Sequence, residues 1–136
     1  MIKSLSIIFP LYNESKRLQN AFKDIEKFQK NKLVNKVEYI FVDDGSKDNS
    51  SKKIRNYLKK KKFFNYKIIK YKKNFGKGYA IKKGILAAKN EWILTIDIDI
   101  SVSLVQLNNW IKKKIHKKKY LYLFWIKKLK RFKYQV

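Results

Sequence analysis

Short apolar runs alternate along this chain with stretches in which apolar residues recur at helical spacing. The runs are rich in β-branched and aromatic residues and cover residues 5–10, 37–42, 66–71 and 92–96. Runs of this length and composition predict buried strands, and the stretches between them predict helices. Strands that alternate with helices indicate βαβ units. The expected fold class is therefore α/β, with a mostly parallel sheet flanked by helices.

The stretches between and after these runs predict amphipathic helices, because their apolar residues fall on one face at a spacing of three or four. The expected inward residues are Leu18, Ala21, Phe22, Ile25 and Phe28 in residues 15–30, Ile54 and Leu58 in the second helix, Ile81, Ile85 and Ala88 in residues 78–89, and Leu104, Leu107, Ile111 and Ile115 in the fourth helix. Ser103 and Gln106 have the spacing of a capping box at the start of the fourth helix. Residues 120–126 predict a fifth strand.

Acidic residues are scarce, yet two pairs of them directly follow predicted strands. The sequence has 35 Lys and Arg against 10 Asp and Glu. Asp43 and Asp44 close the second apolar run, and Asp97 and Asp99 close the fourth. Polar residues also follow the other two runs, at positions 12–14 and 74–78. Since ligands bind beyond the carboxyl ends of parallel strands, we expect these four loops to form one site.

Length and composition exclude several classes of protein. A chain of 136 residues fits one domain. The absence of Cys excludes disulfides and thiolate metal sites, so any metal is expected to bind oxygen ligands. No apolar stretch approaches the about 18 residues of a membrane-spanning helix, and the N-terminus lacks the pattern of a signal peptide. We therefore expect a cytoplasmic protein.

The formal net charge of +25 allows two interpretations. Lysine supplies almost all of the positive charge, since the only arginines are Arg17, Arg55 and Arg131. One interpretation is a solvated lysine-rich surface, and the other is an anionic partner. Peripheral contact with an anionic membrane ranks above nucleic acid, because a basic residue near an acidic leaflet contributes about 1 kcal/mol. Phosphate recognition by a planar fork favours arginine, and we expect no nucleic acid partner.

Four motifs in these loops resemble those of family 2 glycosyltransferases, which have the GT-A (Rossmann-like) fold. The motifs are Ser6-Ile-Ile-Phe-Pro-Leu-Tyr-Asn-Glu14, Tyr39-Ile-Phe-Val-Asp-Asp-Gly-Ser46 with Asp48, Asn74-Phe-Gly-Lys-Gly78 and Thr95-Ile-Asp-Ile-Asp99. Their order and spacing are similar to the family's throughout residues 4–101. The last two motifs, with Ile100 and Ser101, most resemble the dolichyl-phosphate (polyprenyl-phosphate) β-glucosyltransferase group, with dolichyl-phosphate mannosyltransferases next. Ile98 departs from the alanine that is usual there.

The resemblance implies a role for each acidic pair. Asp97 and Asp99 would hold Mg²⁺ or Mn²⁺ against the diphosphate of a nucleotide-sugar, and they are the expected catalytic carboxylates. Asp43 and Asp44 would lie beneath the nucleotide, one accepting from a base N–H and the other supporting the loop, in an order that the sequence leaves open. Without the resemblance, Asp97 and Asp99 would be surface aspartates in a turn. Asp43 and Asp44 would be an acidic cluster at a helix N-terminus, with Ser46 or Asp48 as the cap, and this is compatible with ligand binding.

The other expected binding residues lie in the first and third loops. Pro10, Tyr12 and Glu14 are expected to line the nucleoside pocket; the alternative is that Pro10 ends a strand and Glu14 begins a helix. Gly76 and Lys77 are expected to face the diphosphate from the start of a helix. The single histidine, His116, stands among lysines and is expected at a solvated helix position rather than as a general base.

The reaction that the resemblance implies is transfer of a hexose from a nucleotide-sugar, with UDP-glucose favoured, to polyprenyl or dolichyl phosphate with inversion. No general base is recognisable, but a phosphate acceptor is already ionised near pH 7, its second pKa being about 6. Two alternatives stay open: a truncated fragment that binds nucleotide-sugar without catalysis, and a basic protein that binds anionic surfaces. An enzyme of this kind is expected in the cytoplasm or peripherally at the cytoplasmic face of a membrane.

The end of the chain predicts a boundary after residue 123. Family members continue well beyond the fourth motif, whereas this chain ends 37 residues after Asp99. If residues 125–136 are written with A/T-leaning codons, reading one base later gives Gly-Ser-Arg-Asn-Leu-Lys, and Gly-Ser-Arg is usual for the family at this point. We therefore expect a truncated donor-binding domain in residues 1–123 and an aberrant basic tail in residues 124–136, read from a shifted frame.

Overall fold

A computed structural model of the chain describes residues 2–30, 33–62, 65–99 and 102–113, together with the backbone of residues 125–127. In this part of the chain five strands form one sheet: β1 (Ile2–Leu11), β2 (Val34–Asp43), β3 (Tyr66–Lys70), β4 (Trp92–Thr95) and β5 (Trp125–Lys127). The strand order is β3-β2-β1-β4-β5. Every neighbouring pair is parallel except β4 and β5, which are antiparallel. The predicted α/β class with a mostly parallel sheet is confirmed.

Helices cover both faces of the sheet. Those of the described residues are α1 (Leu18–Lys30), α2 (Ser50–Lys60), α3 (Lys77–Ala87) and α4 (Leu104–Lys112). Helices α1, α2 and α4 share one apolar cluster with Ile7 and Phe9 of β1, whereas α3 packs in a second cluster with Ile8. Successive residues of a strand point to opposite faces, so β1 supplies both clusters. Burial on both faces explains the apolar runs of the central strands β1 and β2, whereas β3 at the edge of the sheet is half-buried and contains lysines.

The buried face of α1 is the predicted one, and its apolar residues all lie in the core. Phe22 stacks on Tyr57 of α2 with ring centroids 3.8 Å apart. Burial of a side chain of this size contributes about 1.5–3 kcal/mol. The helix begins at Leu18 rather than at residue 15. The residues before it form a turn in which the Arg17 N–H bonds to the Glu14 carbonyl.

The inward face of α3 differs from the prediction. Ile81 and Ile85 are only half-buried, and the helix instead presses Ala80 and Gly84 against the sheet. A Cβ atom on Gly84 would overlap the side chain of Ile8. The small residues let the helix approach the sheet closely, so the larger apolar residues lie on its flanks. Ala88, the third residue predicted to face inward, directly follows the helix and is buried.

Helix α4 begins at the predicted cap, Ser103, but the second side chain that bonds at this cap comes from another helix. The Ser103 hydroxyl accepts a hydrogen bond from the Val105 N–H at 3.1 Å and donates one to Asp24 of α1 at 2.6 Å. Asp24 also accepts from the Leu104 N–H. Asp24 therefore supplies the second side chain at this cap from another helix, while the side chain of Gln106 bonds within its own helix.

Some predictions concern residues outside the described part of the chain. They are the inward position of Ile115, the solvated position of His116 and residues 120–124 of the fifth strand. The observed β5 spans Trp125–Lys127 and overlaps that predicted strand. Across the described ranges, no helix has the length and apolar character needed to cross a membrane.

A buried carboxylate fixes the loop that leads into β4. Glu38 of β2 is 3% exposed, and its oxygens accept from the Ser6 hydroxyl at 2.8 Å and the Lys89 N–H at 3.1 Å. The Lys67 ammonium lies 3.2 Å away. Burial opposes ionisation, but these hydrogen bonds and the ammonium together lower the pKa of Glu38 below its ordinary value. Because the partners come from β1, β3 and the loop after α3, the network holds these elements together.

Candidate active site

The carboxyl ends of the parallel strands enclose a polar cleft of about 400 Å³. The chain runs from β1 outward to β3 and then returns to the other side of β1, so the strand order reverses between β1 and β4. Such a switch point leaves a crevice in which ligands bind. All predicted site residues except Asp43 line this cleft: Pro10, Tyr12, Glu14, Asp44, Gly76, Lys77, Asp97 and Asp99.

Two loops on one side of the cleft are joined by reciprocal hydrogen bonds. The Asn13 N–H donates to the Ser46 hydroxyl, and the Lys47 N–H donates to the Asn13 side-chain oxygen, both at 2.9 Å. The Glu14 N–H donates to the Ser50 hydroxyl at 2.9 Å. Asn13 has φ = 51°, in the left-handed region that asparagine tolerates better than most residues. The loop after β2 therefore fixes the loop after β1 and the cleft residues that it carries.

Asp48 anchors this pair of loops, a role that its place in the second motif does not reveal. One carboxylate oxygen accepts from the N–H and the hydroxyl of Ser50, and the other accepts from the Ser15 N–H at 3.1 Å. Although burial opposes ionisation, these hydrogen bonds lower the pKa of Asp48 to about 2. The signal in the sequence is the Asp-x-Ser spacing directly before α2, which is typical of a helix start.

Asp43 lies behind the cleft and supports the loop that follows it. The side chain is fully buried, and one oxygen accepts from the Ser46 N–H at 2.8 Å while the other accepts from the Ser51 hydroxyl. The Lys70 ammonium lies 3.7 Å from the same carboxylate. Of the two roles that the sequence left open for the pair, Asp43 has the geometry for loop support.

Asp44 joins the second loop to the third at the floor of the cleft. Its two oxygens accept from the N–H groups of Phe75 and Gly76, at 2.9 and 2.8 Å. The next residue, Gly45, has φ = 81° and packs against the backbone of residues 73–74. A Cβ atom there would lie 2.6 Å from the Lys73 carbonyl carbon. This close approach brings the third loop within reach of Asp44.

Asp97 and Asp99 lie on the other side of the cleft, after β4. The Asp97 carboxylate forms a two-point ion pair with the Lys77 ammonium, at 2.6 and 2.8 Å, and both side chains are well exposed. Asp99 is exposed on the following turn, while Ile98 between the two turns into the core. Lys77, which the sequence predicts beside a diphosphate, thus neutralises one of the predicted metal ligands in this structure.

The loop after β1 forms the predicted nucleoside side of the cleft. Pro10 is buried within central strand β1, and it is tolerated there because the pairing of β1 with β4 already ends at Ile8. Tyr12 is 41% exposed, so one large aromatic ring is accessible. Glu14 pairs with Arg17 at 3.6 Å. These three positions are consistent with a pocket wall, and Pro10 does not end its strand.

An apolar pocket of about 260 Å³ adjoins the cleft beside Asp97. It shares Lys77 and Asp97 with the cleft, and its apolar lining comes from α3, β4, the segment before α4 and α4 itself: Ile81, Leu94, Ile96, Val102, Leu107 and Trp110. The sequence gives no sign of this pocket, because its pattern assigns four of these residues to an ordinary core: Ile81 and Leu107 by helix periodicity, and Leu94 and Ile96 by the predicted strand.

Asp97 and Asp99 suit a hard divalent cation by the type of their donor atoms, since Mg²⁺ and Mn²⁺ favour carboxylate oxygens. Within the described residues, no group of three or more His, Asp or Glu forms a cluster that could hold a metal by itself. The protein would supply part of the coordination, and phosphate oxygens and water would supply the rest, as is usual for Mg²⁺. Because the Lys77 ammonium contacts both oxygens of Asp97, it competes with a cation for that carboxylate.

The open α/β sheet with its cleft at the switch point defines the fold class, and comparison with known proteins identifies the family. Residues 6–128 match the model of glycosyl transferase family 2, and the chain belongs to this family. The dolichyl-phosphate beta-glucosyltransferase of Dictyostelium discoideum is 38% identical over 108 residues, which cover 76% of this chain and 33% of that protein. The Homo sapiens protein of the same name is 43% identical over 101 residues, covering 71% and 31%.

Solved structures share the fold at lower identity. The mannosyltransferase PcManGT from Pyrobaculum calidifontis, in complex with GDP-Man and Mn²⁺, superposes with a TM-score of 0.69 at 20% identity, covering 82% of this chain and 32% of that one. S. aureus TarS 1-349 in complex with UDP-GlcNAc has a TM-score of 0.68 at 23% identity, covering 84% and 32%. The predicted GT-A fold is confirmed.

The predicted resemblance to dolichyl-phosphate β-glucosyltransferases is also confirmed. The chain spans about a third of the length of these curated relatives. The individual roles of the site residues and the boundary after residue 123 stay predictions.

Proposed function

We propose that the cleft binds a nucleotide-sugar and that the chain transfers the hexose to polyprenyl or dolichyl phosphate. The observation that carries this proposal is the convergence of Asp44, Lys77, Asp97 and Asp99 on one cleft at the switch point of the sheet. Membership of the family supports the type of reaction. The names of the relatives favour glucose as the sugar and a lipid phosphate as the acceptor. UDP-glucose is therefore the donor that we favour over GDP-mannose.

The nucleoside would lie against Pro10, Tyr12 and Glu14, with the diphosphate nearer Gly76 and Lys77. The exposed ring of Tyr12 offers a surface on which the base or ribose can pack. Helix α3 begins at the edge of the cleft, and a helix N-terminus favours phosphate through its free N–H groups and partial positive charge. Among the described residues, no atom beyond the adjacent residues lies within 4 Å of the Cβ position of Gly76, so a phosphate has room to approach the backbone there.

Lys77 would exchange partners when the donor binds. Its ammonium now pairs with Asp97, and both groups are exposed enough to separate. The negative charge of an arriving diphosphate would attract the ammonium and leave Asp97 free to bind Mg²⁺ or Mn²⁺ together with Asp99. The cation, when bound, would offset the negative charge that develops on the leaving diphosphate. The complex of a fold relative with GDP-Man and Mn²⁺ supports this pairing of donor and metal.

The proposed transfer forms one bond and breaks one. A phosphate oxygen of the acceptor attacks the anomeric carbon, the bond between that carbon and the donor diphosphate breaks, and the nucleoside diphosphate leaves. Attack opposite to the leaving group inverts the anomeric configuration. The attacking oxygen is already ionised near pH 7, with a second pKa of about 6, so no protein base is required. The apolar pocket beside Asp97 would hold the first part of the lipid chain.

A second candidate is a fragment that binds the donor without transferring the sugar. The observation that favours it is that the predicted residues lining the cleft are all assigned to the nucleotide-sugar or its metal: Pro10, Tyr12, Glu14, Asp44, Gly76, Lys77, Asp97 and Asp99. Residues 1–123 would then be a donor-binding domain and residues 124–136 a tail without a part in binding.

Transfer of labelled glucose from UDP-glucose to polyprenyl phosphate tests the proposal. The full chain with Mg²⁺ or Mn²⁺ is expected to form labelled lipid, and Asp97→Asn is expected to form much less. Glu26→Gln is the matched control, because it removes one carboxylate from an exposed ion pair outside the cleft. Donor binding without transfer by folded protein would favour the fragment, and the absence of both would refute the assignment of the cleft.

A further inference from the structure

The outer side of α3 carries large apolar side chains that are exposed to solvent. Phe75, just before the helix, is 58% exposed, and Tyr79 and Leu86 are 37% and 48% exposed. Residues four and seven positions apart lie on the same side of a helix. Two lysines between Tyr79 and Leu86 share this side: Lys82, which is exposed, and Lys83, which is half-buried. We call these five residues the α3 outer face.

The aromatic part of the α3 outer face is fixed by its neighbours. The ring centroids of Phe75 and Tyr79 lie 4.9 Å apart, and Tyr71 packs edge-on against both, at 6.1 and 5.4 Å. The Phe75 N–H donates to the buried Asp44 carboxylate at 2.9 Å. Side chains that are already ordered lose little further freedom when a partner binds, so this surface is prepared for contact.

The charged residues on this face and in the segment before it are all lysines. The Lys83 ammonium lies 5.4 Å from the centre of the Tyr79 ring. Lys82 follows the same ring by one helical turn, and the exposed residues at positions 72–73 are also lysines. The sequence contains no Asp or Glu from position 49 to position 90. The exposed apolar side chains therefore lie in a stretch of the chain whose charged residues are all positive.

We propose that the α3 outer face docks on an anionic lipid surface. Aromatic and aliphatic side chains that project from a surface enter the headgroup region, while lysines beside them attract acidic headgroups. Lysine stems can lie along the apolar layer with their ammonium groups in water. Nucleic acid fits this face less well, because its cations are lysines rather than the arginines that grip phosphate in a fork, and Leu86 offers no ring on which a base can stack.

Docking by this face would set the orientation of the cleft. Phe75 is directly followed by Gly76 and Lys77, which line the cleft, so the cleft would open beside the lipid surface. The docking goes beyond the proposed transfer, since it requires neither donor nor metal. It would hold equally for a fragment that only binds the donor.

Binding of the full chain to vesicles tests the contribution of charge. Flotation is expected to show binding to phosphatidylcholine vesicles only when phosphatidylserine is included. Lys82→Gln/Lys83→Gln is expected to lower the partition coefficient about 30-fold, since each lysine near an acidic leaflet contributes about fivefold. The matched control is Lys59→Gln/Lys60→Gln, which changes the charge equally on α2, across the sheet. Equal losses in the two double variants would overturn the proposal, because binding would then follow net charge alone.

A fluorescent label tests whether the apolar residues enter the lipid. The chain has no cysteine, so Leu86→Cys and the control Asn56→Cys on α2 can each carry a single environment-sensitive dye. We expect the emission of the dye at position 86 to shift to the blue on anionic vesicles, and that of the dye at position 56 to stay unchanged. Bound protein without a shift at position 86 would overturn the proposal. Displacement of the vesicles by single-stranded RNA with the same dependence on Lys82 and Lys83 would overturn it in favour of nucleic acid.

Discussion

Replacing Gly45 with alanine tests how the loops of the cleft fit together. Gly45 has φ = 81°, a conformation that costs an L-residue about 1–2 kcal/mol. The added Cβ atom would also lie 2.6 Å from the Lys73 carbonyl carbon and 2.8 Å from the Asn74 nitrogen. These are backbone atoms that cannot rotate away, and an extra methyl group in packed structure costs about 1–3 kcal/mol. We therefore expect Gly45→Ala to lower the free energy of unfolding by about 2–5 kcal/mol.

Gly78→Ala is the matched control, because it adds the same methyl group where there is room for it. Gly78 lies in α3, and in the described part of the chain nothing outside its own helix backbone and the adjacent residues lies within 4 Å of its Cβ position. Alanine is therefore expected to stabilise the helix by up to about 1 kcal/mol. Urea denaturation followed by circular dichroism measures both changes. The shift of the third loop in Gly45→Ala should also weaken binding of UDP-glucose. A Gly45→Ala protein as stable as the unmodified chain, or a Gly78→Ala protein equally destabilised, would refute the reasoning.

Three other perturbations test the buried charges and the ion pair of the cleft. Glu38→Gln is expected to lower the free energy of unfolding by about 1–3 kcal/mol, because the buried carboxylate loses hydrogen bonds and its ion pair with the half-buried Lys67. Glu26→Gln, in an exposed pair, should leave the urea midpoint unchanged, and equal midpoints for the two variants would contradict the network. The lowered pKa of Asp48 contributes stability above its unfolded value of about 4 that is lost as the pH falls towards about 2. The melting temperature of Asp48→Asn should therefore fall less steeply than that of the unmodified chain between about pH 4 and pH 2. An equally steep fall in the two proteins would show that Asp48 is not the cause. Lys77→Met should raise the affinity of the donor-free protein for Mn²⁺, measured by electron paramagnetic resonance, because Asp97 loses its competing cation; an unchanged affinity would show that the ion pair does not compete.

Much of the sheet is predictable from the sequence, because a strand that is buried on both faces leaves a continuous apolar run whatever its neighbours are. The inward face of α3 is not predictable in this way, since helical periodicity is recognised from large apolar residues. Ala80 and Gly84 face the sheet because they are small, and only the close approach to Ile8 reveals this. Likewise, the Asp24 cap on α4 joins residues about 80 positions apart, and nothing local in the sequence marks it.

The candidate site is predictable as a set of residues but not as an arrangement. The motifs place their polar residues at strand ends, and parallel strands bring those ends to one rim. Which of Asp43 and Asp44 faces the cleft depends on the register and on the loops that pack over each carboxylate. The pair between Lys77 and Asp97 joins two loops 20 residues apart, and its geometry depends on where α3 begins.

Equilibrium binding of UDP-glucose with and without Mn²⁺, measured by calorimetry, tests the central claim most directly. If the cleft holds donor and metal together, the unmodified chain should bind UDP-glucose more tightly with Mn²⁺ than without it. Asp97→Asn should lose that enhancement, and Glu26→Gln should keep it. Binding that is equally tight in Asp97→Asn, or that is indifferent to Mn²⁺ in the unmodified chain, would contradict the assignment of this cleft as a metal-dependent donor site.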